Sequence, residues 1–405
     1  MKKIVSLILA LMMCLSLVSV VAAESVDYSG IKFGIITLHD EDSTYDLNFI
    51  NSLYEAAAIL GLSEDQLVFK KNIPESNACY DAAWELYDEG CNIIFADSFD
   101  HETFLMNAAA ELPDVQFGHA TGTHAHVANM DNFHNAFAQI YDGRYLAGVA
   151  AGMKLNELKE AGKLKGDKPM MGYVGAFTYA EVISGYTSFY LGAKSVCPDV
   201  LMKVSFTGWW YDEKEEKAAA ESLIAAGCDL ISQHADSMGA PTACENAGIP
   251  NIAYNAPTVD TCPNTFIVSS RINWAPYFVY MINCVATGET IATDWVGTIE
   301  NGAVQLSEVN TQAAAAGTVE KLAEVCEGLV NGTVHPFDTA TEGFITLGGE
   351  PMAATWQPGG PTDGDFVEGT PIVYDGYFHE SEYRSAPYFD AWIDGIELLN
   401  TAFGS

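Results

Sequence analysis

Side chains able to do chemistry gather just after short apolar runs of the chain. The first half offers Asp40, Tyr45, Asp46, Ser98, Phe99 and the pair Thr121-Gly122. The second offers Phe177, Glu181, Trp209-Trp210, Asp212, Asp236-Ser237 and Asn255. Flat aromatic faces stack on planar rings, and carboxylates, hydroxyls and amides bond the N–H and O–H edges of such rings. A polyphosphate would want Lys, Arg or a Gly-rich nest, and no cationic cluster accompanies this set. The residue types point to capture of a neutral or weakly polar ring compound, with or without hydroxyls. Each residue also has a plainer reading. Asp97 and Asp236 could cap the helices that follow them, Tyr45 could cap the first helix, and Trp209-Trp210 could simply pack at an edge.

Signatures of catalysis are missing. The chain holds no Gly-x-Ser-x-Gly, no Gly-x-x-x-x-Gly-Lys-Ser/Thr and no His-Glu-x-x-His. His119, His124, His126 and His134 lie close in sequence, but no carboxylate or Cys pattern completes a metal site, so no metal and no cofactor is expected. His234 and Asp236 share a strand end without a nucleophile between them.

A phrase that occurs twice reveals the elements that must position these residues. Gly90-Cys91-Asn92-Ile93-Ile94-Phe95-Ala96-Asp97-Ser98 is echoed by Gly227-Cys228-Asp229-Leu230-Ile231, ending in Ala235-Asp236-Ser237. Each copy follows one helix-like stretch and precedes another, and apolar runs alternating with helices argue for parallel sheets. Ligands of open parallel sheets sit beyond the carboxyl ends of the strands, where both Ala-Asp-Ser tails fall. Two such sheets face to face would set Ser98 opposite Ser237 across a cleft. Further along, the pattern predicts a short strand at Val127–Met130, a long helix at Phe133–Leu155 and a linker between lobes at Lys159–Pro169. It also predicts a hairpin turn at Asn301-Gly302 and a helix at Thr318–Gly332. Residues 335–405 show little periodicity and read as an appendix of loops and short strands.

A chain of 405 residues suits two or three domains. Its net charge of -36, from 18 basic and 54 acidic residues, makes nucleic acid a poor partner. Lys2 and Lys3, the apolar run Ile4–Val21 and small Ala22-Ala23 form a secretory leader over residues 1–23. Export with cleavage near Ala23 is the favoured reading. Leu11-Met12-Met13-Cys14 loosely matches a lipoprotein box and makes a lipid anchor at Cys14 the minority one. Eight cysteines follow the leader, and those opening the repeated phrase, Cys91 and Cys228, read as buried filler.

Met171-Gly172-Tyr173-Val174-Gly175-Ala176-Phe177, Tyr141-Asp142-Gly143-Arg144-Tyr145-Leu146-Ala147-Gly148, Gly208-Trp209-Trp210-Tyr211-Asp212 and Asn273-Trp274-Ala275-Pro276-Tyr277 occur in that family order along residues 30–330. In these phrases the chain resembles the basic membrane protein (BMP) family, the solute-binding proteins of ABC transporters whose characterised members bind purine nucleosides or bases. The resemblance implies an α/β type I periplasmic-binding-protein fold, two Rossmann-like lobes with parallel sheets joined by crossover strands. It implies aromatic stacking near Tyr45 and at Trp210, and ligand-lining positions at Ser98-Phe99 and Asp236-Ser237, with Trp274 added from its matching phrase. Asn255 stands about where the nucleoside binders hold ribose with an Asp, and Arg271 falls near a family Lys. These departures favour a base over a nucleoside. The expected first lobe is 24–158 plus about 266–295, and the second 168–265 plus about 296–310, with 335–405 appended. The expected protein is a monomer outside the cell, delivering its ligand to an ABC permease in the membrane. A binding protein for a sugar or autoinducer-like solute, a sensory ligand-binding module and a nucleoside hydrolase are the alternatives.

Overall fold

The computed structural model describes residues 26–359 and 369–401. The leader and Cys14 lie outside them. Two parallel sheets, each flanked by helices, form two lobes. In the first sheet β1 (Phe33–Ile36), β2 (Leu67–Lys70), β3 (Ile93–Ala96), β4 (Gln116–Ala120) and β5 (Phe133–Ala138) assemble in the order β5-β4-β3-β1-β2. The second sheet takes β6 (Met170–Gly175), β7 (Leu201–Phe206), β8 (Leu230–His234), β9 (Asn251–Tyr254) and β10 (Phe266–Ile272) in the order β10-β9-β8-β6-β7. β1, β3, β4, β5, β8 and β9 are nearly or wholly buried along their lengths, which is why they read as continuous apolar runs rather than alternating ones.

The chain passes between lobes three times, and the crossings correct several sequence expectations. Phe133–Ala138 is a strand, buried on both faces, and only Ile140–Glu160 is helical. That helix already belongs to the second lobe, packed along the Ala180–Val196 helix. A Cβ on Gly148 would strike the Phe189 carbonyl, and one on Gly192 the Tyr145 carbonyl, so the two backbones meet directly. Lys159–Pro169 is therefore a loop within the second lobe, not a linker between lobes. β10 pairs with β9, so residues 266–272 also lie in the second lobe, and the return comes at Asn273. The helix Ala275–Thr287 then packs on Thr44–Leu60 of the first lobe, and β11 (Asp294–Gly297) extends the first sheet beside β5. Asn301-Gly302 does form a turn, with Asn301 Oδ1 accepting the Thr298 and Ala303 N–H groups at 2.8 and 3.2 Å. Its flanks are not a hairpin, because β12 (Val304–Leu306) pairs antiparallel with β10 in the other sheet. Val127–Met130 is no strand: Ala125–Ala128 is a helical turn, and Asn129 ends it in the left-handed region at φ 51°.

The segment from 335 onward is built into the second lobe rather than laid on it. After the small pairs β13 (Thr346–Leu347) with β14 (Glu350–Pro351) and β15 (Val373–Tyr374) with β16 (Tyr377–Phe378), β17 (Ile396–Leu398) joins β7 as a parallel edge strand. Phe337 stacks on Phe389, Phe378 meets both edge-on, and Phe337 also meets Tyr141, continuing the core beneath the Ile140–Glu160 helix. All eight described cysteines are unpaired, and seven are buried. Burial pushes the Cys91 thiol up to about 11 and the Cys228 thiol up to about 12, so both stay protonated in the core. No helix of the described residues is long and apolar enough to cross a membrane.

Candidate functional site

The carboxyl ends of the two sheets face each other and touch. The Thr44 N–H donates to the Asp236 carbonyl at 2.9 Å, His39 meets Tyr211 at 5.4 Å between ring centres, and Phe99 meets Tyr179 at 5.2 Å. Between them lies a cavity lined by Leu38, His39, Tyr45, Asp46, Ser98, Phe99 and Thr121 from the first lobe. Glu181, Trp210, His234, Asp236 and Tyr254 line it from the second. Its free space is about 370 Å³ with the open mouth included.

On the first-lobe wall most polar groups are already engaged. Ser43 caps the Thr44–Leu60 helix, and its hydroxyl donates to Asp46 at 2.5 Å, while Asp46 also accepts the His39 N–H at 2.7 Å. Asp46 thus fixes the loop that presents Tyr45, whose hydroxyl donates to the Asp97 carbonyl at 2.8 Å. Asp97 itself lies behind the wall. Burial first, then the neighbouring Asp46, holds its carboxyl well above the usual range. Ser98 donates to Glu75 at 2.6 Å. Thr121 adopts φ 62°, and Glu102 holds its loop by accepting the N–H groups of Thr123 and His124 at 2.8 and 2.9 Å. A Cβ on Gly122 would collide with Asn135, Glu102 and His119, so this turn needs glycine. Burial opposes ionisation of Glu102, but His124 and His119 outweigh it and bring the carboxyl down to about 2.

The second-lobe wall keeps its carboxylates for the cavity. Trp210 is braced edge-on by Phe177 at 5.0 Å, with Tyr179 alongside at 6.0 Å, and its carbonyl accepts the Asp236 N–H at 3.0 Å. Its neighbour Trp209 turns outward and is 60% exposed. Glu181 stands 3.2 Å from His234 Nε2, and burial, opposed by that carboxylate, lowers the imidazole below its ordinary range. Burial raises Asp236 well above the carboxylate range, with the charges of Glu216, Asp46 and Glu181 adding to it. Among the described residues no Lys or Arg lines the cavity. The walls can therefore stack a ring and accept hydrogen bonds from its edge.

Of the sequence-predicted residues, Tyr45, Asp46, Ser98, Phe99, Thr121, Glu181, Trp210 and Asp236 meet at the cavity. The others stand off it for identifiable reasons. Asp40 bonds Asn72 and the Asp42 N–H at the surface, and Phe177 packs behind Trp210. Asp212 is the N-cap of the Glu213–Ala225 helix, accepting the Lys214 and Glu215 N–H groups. Ser237 turns inward to accept the Gly239 N–H at 3.0 Å, so it does not face Ser98. Asn255 is buried at φ 61°, and Arg271 donates to Gln305 at 3.0 Å along β10. Trp274 is fully buried, stacked on Phe49 at 4.5 Å in the first-lobe core. Leu38, His39 and Tyr254 line the cavity and were not singled out, and His234, weighed only as an acid-base partner of Asp236, lines it too. Each closes or follows a strand, so the strand-end rule that found Asp236 applies to them equally. Among the described residues no group of His, Cys, Asp or Glu stands ready to hold a metal. His119, His124 and His126 instead meet the Ser98 carbonyl, Glu102 and Asp294.

The model of the family described as PnrA-like ABC transporter substrate-binding proteins matches residues 33–332. A purine-binding protein of Brucella abortus is 30% identical over 67% of this chain and 73% of its own length. A putative ABC transporter glucose-binding protein of Haloferax volcanii is 31% identical over 56% of this chain and 54% of its own. Among solved structures, a solute-binding protein of an ABC transporter system from Aeropyrum pernix superposes with a TM-score of 0.63 at 16% identity, over 77% of this chain and 94% of that one. One from Conexibacter woesei gives 0.61 at 18%, over 75% and 98%. These likenesses confirm the two-lobed periplasmic-binding fold.

Proposed function

The chain belongs to the family of PnrA-like ABC transporter substrate-binding proteins, and from that membership we propose that its cleft captures a purine base or nucleoside outside the membrane and hands it to an importer permease. The observation that carries the reading is the lining itself, which brings the aromatic rings of Trp210 and Phe99 together with the carboxyls of Asp236 and Glu181 at one cavity. A purine presents a planar ring and N–H donors, which is what such walls bind. Its absence of lining cations disfavours nucleotides. Because Asn255 lies off the lining, the base is the preferred form and the ribose contributes little. Binding is the activity, not turnover: the Ser98 hydroxyl donates to Glu75, and the imidazole beside it bonds its carbonyl, so no lining Ser is activated by a His. The lobes close by hinge motion at the three crossings, stabilised by contacts such as Thr44 to Asp236 that exist only when the lobes meet.

Intrinsic tryptophan fluorescence during titration with adenine, hypoxanthine, guanosine and glucose tests this. A purine should bind with Kd well under 1 mM, the level worth about 4 kcal/mol. Glucose binding without purine binding would move the assignment to a sugar. Trp210→Ala should weaken purine binding by about 5- to 150-fold, as expected for loss of one stacking partner worth ~1–3 kcal/mol. An unchanged Kd would remove Trp210 from the site.

A further inference from the structure

Behind the second-lobe wall sits a guanidinium that the binding site as described does not use. Arg144, on the Ile140–Glu160 helix, is completely buried and forms no ion pair with a carboxylate among the described residues. Its Nε and Nη1 find no partner. An unpaired buried charge is among the most expensive groups a fold can hold, and Met would fill the space without that penalty. What it touches explains it. Its Nη2 donates to the Gln233 carbonyl at 2.7 Å and to the Tyr173 hydroxyl, and its plane lies 4.2 Å over the ring centre of Tyr254 and 5.3 Å from that of Tyr173. Gln233 in turn donates from Nε2 to the Ala235 and Ser237 carbonyls at 2.8 and 3.2 Å, stapling the turn that carries Asp236.

We propose that Arg144 is a positioning residue for ligand binding, holding the Tyr254 ring from behind and, through Gln233, the Asp236 turn. It rests on the reading of the cavity as the ligand site. Tyr254 and Asp236 are two of the five second-lobe lining residues, and His234, a third, lies on the same strand between Gln233 and the turn. His234 faces Glu181 from the Ala180–Val196 helix, Arg144 from the Ile140–Glu160 helix and the Tyr254 ring from β9, with Asp236 two residues beyond the end of its own strand. A Cβ on Gly185 would come within 2.8 Å of its Nδ1, so the ring packs directly against the helix backbone at this glycine. The Arg144 cation beside it opposes protonation.

Arg144→Met and Arg144→Lys separate position from charge. Calorimetric titration with the tightest purine should show Arg144→Met weakened by about 10- to 100-fold, the usual loss when a supporting residue is removed from a site. Arg144→Lys keeps the charge and loses the plane, and should lose affinity by a smaller factor. With the cation gone, His234 should take its proton at a higher pH. The Arg144→Met Kd should then worsen further toward acid, while the Arg144→Lys curve stays parallel to the parent's. Imidazole NMR of the unliganded proteins reads the same His234 shift whether or not any purine binds. If the parent binds none, the reading of the cavity fails and this NMR comparison still decides the role of Arg144. A folded Arg144→Met protein with unchanged His234 titration, or with parent-like Kd at every pH, overturns the proposal. Should Arg144→Met fail to fold, Arg144→Lys with parental affinity overturns it alone.

Discussion

The two copies of Ala-Asp-Ser occupy the same place in their lobes and do opposite jobs. Up to the end of the strand they match closely. Gly90 and Gly227 both sit at φ 90°, and the Cys91 and Cys228 N–H groups reach back to Leu86 and Leu223 at 3.0 and 3.1 Å. The two thiols lie under Gly34 and Gly172 of the adjoining strand. Beyond the strand the side chains diverge. In the first lobe the serine reaches the cavity, while Asp97 stays behind it, accepting the Leu38 N–H at 3.2 Å. In the second lobe Asp236 reaches the cavity, and Ser237 turns away to steady the next helix. Even the supporting carboxylates differ: Glu75 takes the Ser98 hydroxyl, whereas Glu216 grips the Ser237 N–H. A duplicated scaffold fixes where a strand ends. It leaves to the following loop which of the next side chains faces the cavity.

The sharpest way to break this contrast is to treat the two aspartates alike. Asp236→Ala should weaken purine binding by about 5- to 150-fold, because a buried polar group left without its hydrogen-bond partner costs ~1–3 kcal/mol. Asp97→Ala should leave Kd nearly unchanged and instead destabilise the fold by about 1–3 kcal/mol, through the orphaned Leu38 N–H. Calorimetry and urea denaturation of both variants would expose a reversal. The pH response separates them further. A carboxyl raised in the fold contributes stability that is complete below its unfolded value and is lost as pH rises through the raised one. Asp236 is raised, chiefly by burial, so the Tm of Asp236→Asn should gain on the parent's as pH climbs from about 4 toward 8. A Tm difference constant across that span would mean that the carboxyl is not held protonated.

The matched half of the comparison predicts matched losses. A Cβ on Gly34 would lie 2.8 Å from Leu86 Cδ1, and one on Gly172 would lie 2.5 Å from Ile231 Cδ1. Gly34→Ala and Gly172→Ala should each cost about 1–3 kcal/mol by overpacking, with neither affecting Kd. A large loss in one lobe alone would show that the thiol layers are not equivalent.

How much of this was legible from sequence follows from the same division. The repeated phrase announced two parallel sheets and the ends of their central strands, since burial on both faces leaves an unbroken apolar run. The strand-end rule picked out Asp236 and Ser98 from that phrase and Trp210 from the loop after β7, and all three line the cavity. The lobe boundaries were harder. Phe133–Ala138 lacks β-branched residues and merges in pattern with the helix after it, so the first crossing was hidden, and with it the second-lobe identity of Ile140–Glu160. β10 was legible as a strand, but strand character says nothing about which sheet it joins. Trp274 looked like a ligand face because an indole beside a crossing is ambiguous until its burial is known. The segment after 335 defeated the pattern for another reason. Its strands are two or three residues long, and its order comes from Phe337, Phe378 and Phe389 packing on a helix some two hundred positions earlier. Local periodicity carries no trace of such contacts.

The smallest effect tests the serines. Ser98 reaches the cavity, but its one proton is already given to Glu75 at 2.6 Å, and Glu75 also accepts the Asp100 N–H at 2.9 Å. Ser98→Ala should therefore change Kd by no more than about twofold, since the hydroxyl has only lone pairs left to offer. Ser237 is not among the lining residues, and its hydroxyl accepts the Gly239 N–H at the start of the Gly239–Ala247 helix. Ser237→Ala should cost about 1 kcal/mol of stability, typical of a lost hydrogen bond, and leave Kd untouched. Chemical denaturation and calorimetry on this pair should show two effects on the fold and almost none on Kd: each serine holds a neighbouring group of its own lobe rather than a ligand. If Ser98→Ala instead abolished binding, the Glu75 contact would have to open on ligand entry, and the first-lobe wall would be an active partner of Asp236 rather than a finished surface.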